Sequence, residues 1–141
     1  MFKVLPFDIG LHQRMLGLNL GEHLLSGNIE LINKGNLAEV FVGLELIATS
    51  SPHLAPELHY WQRETRSSQA EVDYLVVNDS RIVPVEVKSG TRGQMQSLHL
   101  FMASHQSPVG VRLSHENFGQ FNNIRILPLY AAGHLNRYRL S

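Results

Sequence analysis

The sequence predicts an α/β domain in which a helix, a three-strand antiparallel meander, a crossover helix and a fourth strand follow one another. Apolar residues recur at three- and four-residue steps in two segments, which is typical of helices. Between those segments, short runs rich in valine and aromatic residues are separated by polar turns, which is typical of strands. The second helix stands between two strands and therefore favours a parallel crossover. The 141 residues fit a single domain spanning 1–141.

The N-terminal part of the chain predicts two helices. Residues 9–25 are rich in leucine and predict a short helix among the additional terminal elements. The stretch from Asn36 to Thr49 has a clear helical period, and Asn36 after Gly35 is a good N-cap.

The predicted strands cover residues 58–64, 71–77, 82–88, 108–113 and 124–129, and the predicted crossover helix covers residues 94–104.

Composition excludes several classes of protein. The chain is 43% hydrophobic and 17% charged, as in an ordinary globular domain. Its twelve basic and twelve acidic residues cancel, so the chain as a whole lacks a strongly basic nucleic-acid footprint. It has no cysteine and therefore no thiolate metal site, and its histidines lack the spacing of a zinc site. The sequence contains no signal-peptide layout and no long apolar run, so we expect a cytoplasmic protein with no membrane partner.

Four charged residues mark the candidate site. Asp73, Glu86 and Lys88 lie in apolar strands, and Glu39 lies in the preceding helix. Charged groups in hydrophobic strands cost free energy unless they are paired or bind a metal. The free-energy cost of these positions therefore predicts a functional site.

The hairpin between the second and third strands brings two of these acids together. A two-residue loop at Asp79-Ser80, or a four-residue loop around it, places Asp73 opposite Glu86, with Cβ atoms about 4.5–5.5 Å apart. Lys88 then lies on the same face, about 7 Å further along. We expect the opposite face of the hairpin to be apolar. That face is predicted to hold Val72, Tyr74, Val76, Val83, Val85 and Val87. The remaining positions on the face of Asp73 and Glu86 are predicted to be Leu75, Val77 and Ile82.

Two acids facing each other favour a divalent cation. Opposed like charges destabilise a strand pair, and a cation between them removes the repulsion. Mg²⁺, or Mn²⁺ in its place, takes oxygen ligands from carboxylates, water and phosphate. Lys88 can stabilise a phosphate oxygen or position a water molecule, which gives the layout of metal-assisted phosphodiester hydrolysis.

Other interpretations of the strand positions remain open. Glu71 lies opposite Lys88 in the same register, so a plain cross-strand ion pair also accounts for the lysine. A three-residue loop would shift the register by one and put Asp73 and Glu86 on opposite faces. Pro84 cannot donate to a strand ladder and can mark a bulge near Glu86.

The helix position also has an alternative interpretation. Glu39 stands three residues after Asn36, which matches a capping box at a helix start. A cap would explain Glu39 without any role at a site.

The order of these residues resembles the signature of the PD-(D/E)XK nuclease superfamily: an acid in a first helix, an acid in a second strand and Glu-x-Lys in a third. The chain is similar, more narrowly, to an uncharacterised domain that lies C-terminal to a P-loop module in many bacterial and archaeal AAA-type ATPases. The segments that carry this resemblance are Phe7–Leu11, Lys34–Val42 with Glu45-Leu46, His59–Trp61, Glu71–Leu75, Pro84–Gly90 and Leu127–Tyr130.

The resemblance implies a restriction-endonuclease-like core and a metal-dependent nuclease site. By resemblance, Asp73 and Glu86 map to metal ligands, Lys88 to the catalytic lysine, and Glu39 to an acid that helps to hold the metal or its water. It also implies DNA or RNA as substrate and an attached ATPase domain, whose phosphate-loop motif is absent from these residues. A fold does not fix a function, so a non-catalytic module that binds nucleic acid or protein and regulates the ATPase is the alternative. A purely structural ion-pair cluster is a third possibility.

Overall fold

The computed structural model describes residues 3–17, 34–65, 68–89, 95–138 and 140. No helix in these ranges is long and apolar enough to cross a bilayer. The C-terminal part of the predicted 9–25 helix lies outside the described residues. The helices are α1 (Ile9–Met15), α2 (Lys34–Ala48) and α3 (Gln96–His105), the strands are β1 (His59–Thr65), β2 (Ser68–Asn78), β3 (Arg81–Val87), β4 (Gly110–Ser114), β5 (Gly119–Phe121) and β6 (Ile124–Pro128), and a 3₁₀ segment covers Leu129–Arg137.

Six strands form one mixed sheet in the order β1-β2-β3-β4-β6-β5. Strands β1 to β3 are an antiparallel meander, and β3 pairs in parallel with β4 after the α3 crossover. Both features confirm the predicted α/β arrangement. Strand β6 pairs in parallel with β4, and β5 adds an antiparallel edge. Strand β5 was not predicted, because its three residues are all exposed and carry no apolar pattern.

The turn between β2 and β3 has two residues, as the sequence predicted. Asn78 pairs with Arg81, and the intervening Asp79 and Ser80 have φ angles of 48° and 63°. Positive φ at both central positions matches the right-handed twist of the flanking strands. The register continues regularly from this turn to the Tyr74 pair. The alternative of a three-residue loop is therefore wrong.

A bulge interrupts β2 near the predicted site. His59 of β1 pairs with Leu75, but Trp61 pairs with Val72. Residues 59–61 of β1 therefore lie opposite residues 72–75 of β2, which has one extra residue. Such an extra residue breaks the alternation of side chains. Val72 consequently belongs to the apolar cluster beside α3, whereas Tyr74 belongs to the cluster on the other side of the sheet. The prediction that these two residues share a face was wrong.

Pro84 does not mark a bulge in β3. It is fully buried and pairs regularly with Leu75. The parallel pairing with β4 starts at Val85, one residue later. The irregularity that we expected in β3 therefore lies in β2.

Helix α2 begins earlier than the sequence indicated. The described part of the helix already includes Lys34, so Asn36 lies inside the helix and is not its N-cap. His12 Nε2 on α1 donates to Asn36 Oδ1 at 2.5 Å. The capping-box interpretation of Glu39 is wrong for the same reason.

A glycine lets α2 lie close to the sheet. A Cβ at Gly43 would come within 2.6 Å of Tyr74 Oη and 2.9 Å of Leu5 Cδ2. Tyr74 Oη donates to the main-chain oxygen of Glu39, one turn earlier on α2, at 2.8 Å. Helix and strand are thus held together beside the predicted site.

Candidate functional site

Asp73 lies where the pairing of β2 with β3 ends. The last paired residues are Tyr74 and Val85, and beyond them Asp73 Oδ2 accepts a hydrogen bond from the main-chain nitrogen of Val87 at 2.7 Å. The Asp73 side chain is 16% exposed. A side-chain carboxylate thus accepts a main-chain hydrogen bond from the neighbouring strand, and this bond fixes its position.

Three carboxylates from two elements converge beside this point. Glu39 comes from α2, and Glu71 and Asp73 come from β2, with one oxygen of each lying within 4.8 Å of the others. Hard oxygen donors of this kind suit Mg²⁺ or Mn²⁺. The donor set therefore fits the cation that the sequence predicted. We call these three residues the acid cluster.

The Lys3 ammonium lies among the three acids. Its Nζ is 2.6 Å from Glu39 Oε1 and 3.9 Å from Asp73 Oδ1, and it also contacts Glu71 Oε1. It lies 5.3 Å from the ring centroid of Tyr60. Burial lowers the pKa of Lys3, but hydrogen bonds with Glu39 and Glu71 and the negative charges of Glu39 and Asp73 together outweigh burial and raise this pKa above its ordinary value.

Sequence reasoning missed two members of this arrangement. Glu71 was considered only as a partner of Lys88, although its spacing of two residues from Asp73 was an available signal for a shared strand face. Lys3 precedes every helix and strand and has no periodic pattern around it. Its ion pair with Glu39 joins residues 36 apart, so local sequence contained no signal for it.

Glu86 and Lys88 form an ion pair of their own. Lys88 Nζ lies 2.5 Å from Glu86 Oε1, and its main-chain nitrogen donates to Leu113 O at 2.8 Å, just beyond the end of β3. The cross-strand pair of Lys88 with Glu71 is therefore wrong. Glu86 is 5% exposed, and within the part of the chain that the structure describes its Oε2 has no hydrogen-bond partner.

The acid cluster and the Glu86–Lys88 pair influence each other electrostatically. Burial, followed by the charge of Glu86, raises the pKa of Asp73 to about 7, against the opposing hydrogen bond from Val87. Burial also raises the pKa of Glu86, and Lys88 opposes that shift. Buried groups with perturbed pKa values in a cleft are typical of functional sites.

The acid cluster lines a cleft of about 500 Å³. Its walls combine the charged groups with the aromatic rings of Tyr60 and Tyr74 and with aliphatic side chains from the N-terminal segment and α2. The cleft is large enough for a small polar group and is open to solvent beside the carboxylates.

The structure brings all four predicted residues into one neighbourhood, in two sets. Glu39 and Asp73 lie together with Glu71 at ligand spacing. Glu86, which was predicted as a third ligand, pairs instead with Lys88 at the adjoining end of β3. The arrangement can hold a cation at the acid cluster, and Glu86 of the Glu86–Lys88 pair is close enough to interact electrostatically with all three acids.

Comparison with known proteins gives one match. Residues 34–132, more than half of the chain, match the model of a family described as a domain of unknown function, DUF4143. No curated protein matches the chain, and no solved structure does. The matched range includes Glu39, Asp73, Glu86 and Lys88, and it begins downstream of Lys3.

Proposed function

The chain belongs to the DUF4143 family, and from that premise we propose that it is a nuclease-like, divalent-metal-dependent phosphodiester hydrolase. One observation carries the proposal: carboxylates from α2 and β2 lie within 4.8 Å of one another beside the Glu86–Lys88 pair. The order of elements from α2 to β4 supports a restriction-endonuclease-like core of the PD-(D/E)XK type.

The residues of the site have different roles in the proposed reaction. Glu39, Glu71 and Asp73 hold Mg²⁺ or Mn²⁺, which when bound would activate water and offset negative charge on the phosphate. The Val87 amide fixes the orientation of Asp73. Lys88 exchanges its pairing with Glu86 for a hydrogen bond to a phosphate oxygen, which stabilises the charge that develops during hydrolysis.

We infer that the substrate is DNA or RNA and that the natural partner is an attached ATPase domain. A Mg²⁺ or Mn²⁺ ion held by the acid cluster would readily take a phosphate oxygen as a further ligand. The neutral net charge of the chain predicts weak binding to nucleic acid by this domain alone. An ATPase that delivers the nucleic acid would supply the missing affinity.

Two measurements test the proposal. Calorimetry with Mn²⁺ should show binding that Asp73→Ala abolishes and that Arg14→Ala, on the exposed side of α1, leaves unchanged. Hydrolysis of plasmid and single-stranded DNA should require the metal and should fall at least about 100-fold in Lys88→Ala, since loss of one stabilising donor typically costs that much. Metal binding without hydrolysis on either substrate would contradict the catalytic proposal.

A non-catalytic regulatory module is the second candidate. The position of Lys3 favours it, because an ammonium of the chain itself already lies among the three acids. On this interpretation the cluster is a structural ion-pair network, and the domain binds nucleic acid or its ATPase without a metal. Binding of DNA that is unaffected by a chelator and by Asp73→Ala would favour the module.

A further inference from the structure

Residues 3–7, which we call the N-terminal strap, form neither a helix nor a strand, and the first three of them line the cleft beside the acid cluster. Two side chains attach the strap to the domain. Lys3 contacts the acids, and Leu5 lies against α2 at Gly43, where a Cβ would come within 2.9 Å of its Cδ2. Val4 between them is 79% exposed. One of the two attachments of the strap is therefore at the position where a cation would bind.

The charges of the cluster do not balance with Lys3 in place. One ammonium faces three carboxylates, so two negative charges remain if all three acids are ionised. A divalent cation would compensate more of this charge than the ammonium does. It would also need the same oxygens at about 2.0–2.6 Å, a shell in which the ammonium has no room.

We propose that Lys3 is a built-in, displaceable cation that keeps the acid cluster closed, and that a divalent cation binds there only when the Lys3 ammonium leaves. This inference rests on the proposed function, since it concerns regulation of the same metal site. The strap then works as an autoinhibitory contact: removal of its positive charge opens the site, and removal of an exposed positive charge on α1 does not.

Mn²⁺ binding by the full chain at low ionic strength tests the inference. Calorimetry should give at least a tenfold lower Kd for Lys3→Gln than for the wild type. Lys3→Arg, which keeps the charge, and Arg14→Gln, which removes an exposed charge from α1, should both bind within about twofold of the wild type. The double variant Lys3→Gln with Asp73→Asn should lose the binding that Lys3→Gln gains, which assigns the gain to the cluster.

A second measurement follows Lys3 itself. Amine-reactive labelling with detection by mass spectrometry should show slow modification of Lys3 without metal and faster modification in saturating Mn²⁺. The chain has three lysines, so the Lys3 peptide is easily resolved. This measurement uses the wild type and does not depend on the folding of any variant.

The outcomes separate the two proposals. Equal Mn²⁺ affinity in the wild type and in Lys3→Gln, with unchanged labelling, would overturn the role of Lys3 and leave the metal site standing. Absence of Mn²⁺ binding in every form would overturn both this inference and the metal site of the proposed function. A gain in Lys3→Gln that survives Asp73→Asn would place the bound ion elsewhere and would also overturn the inference.

Discussion

The two ends of the β2–β3 hairpin consist of neighbouring residues on the same strands, yet different interactions hold them. At the turn end, pairing is regular, and Asn78 Nδ2 donates to the main-chain oxygens of Leu135 and Tyr138 at 3.1 and 3.0 Å. At the open end, β2 has a bulge, and the carboxylate of Asp73 accepts a hydrogen bond from the main-chain amide of Val87. A two-residue turn and the neutral amide of Asn78 thus hold one end, and charged side chains hold the other.

The open end should carry the function and the turn end should not. We expect Asp73→Asn to remove Mn²⁺ binding and to lower any metal-dependent hydrolysis at least about 100-fold, because a neutral amide is a much poorer metal ligand. Asp79→Asn makes the same substitution at the turn end, where asparagine also accepts a positive φ. It should leave both properties within about twofold of the wild type. Equal losses of Mn²⁺ binding and hydrolysis in Asp73→Asn and Asp79→Asn would show that function does not depend on the open end alone.

The pH dependence of stability should also come from the open end. The pKa of Asp73 rises from 3.8 to about 7 on folding, so between these values the folded state holds a proton that the unfolded state has lost. The Asp73 contribution therefore favours folding at low pH and is lost as pH rises through this window, by up to about 1.4 kcal/mol per pH unit.

Denaturant unfolding at pH 4 to 8 without metal measures this slope. Asp73→Asn should remove the pH-dependent contribution of Asp73. The free energy of unfolding of this variant, minus that of the wild type, should therefore increase as pH rises. Asp79→Asn should follow the wild-type curve. A constant difference between Asp73→Asn and the wild type over the window would show that Asp73 does not hold its proton in the folded state.

A backbone substitution should affect the turn end alone. Ser80 has a φ of 63°, a conformation that a β-branched residue adopts only with strain. Ser80→Val should lower the free energy of unfolding by about 1–3 kcal/mol, whereas Ser80→Gly should leave it unchanged or slightly higher. Mn²⁺ affinity of the folded protein, measured by calorimetry, should be the same in both. A change in affinity would show that the two ends are coupled.

The smallest effect is expected at the paired Val77 and Ile82, which are 66% and 55% exposed near the turn. Val77→Thr and Ile82→Thr should each change the free energy of unfolding by less than about 0.5 kcal/mol, as is usual for surface positions. Thermal unfolding measures this. A larger loss would mean that this apolar pair is covered in solution.

The same contrast explains what the sequence could predict. The turn end follows from residues within a few positions of each other: an alternating pattern, and Asp79-Ser80 at the turn. Meander, crossover and register were therefore predictable. The bulge at Asp73 was not, because it has no composition signal and arises in the pairing of β2 with β1.

The candidate site was predictable to a similar extent. Charged residues in apolar strands identified Asp73, Glu86 and Lys88, because ionised groups are costly there. How these groups pair depended on contacts with Lys3 and Glu39, which are distant in sequence from β2 and which the local pattern did not predict. Lys3 in particular meets Glu39 only after the chain has folded.

Gly43 allows close packing of two side chains against α2 beside the acid cluster. It stands one turn after Glu39 on α2, and a methyl group there would collide with the Tyr74 hydroxyl. The absence of a side chain at Gly43 thus leaves the space in which the Tyr74 hydroxyl and Leu5 lie against α2. A single added carbon would displace one or both of these side chains, so the contacts that flank the acid cluster depend on a residue without a side chain.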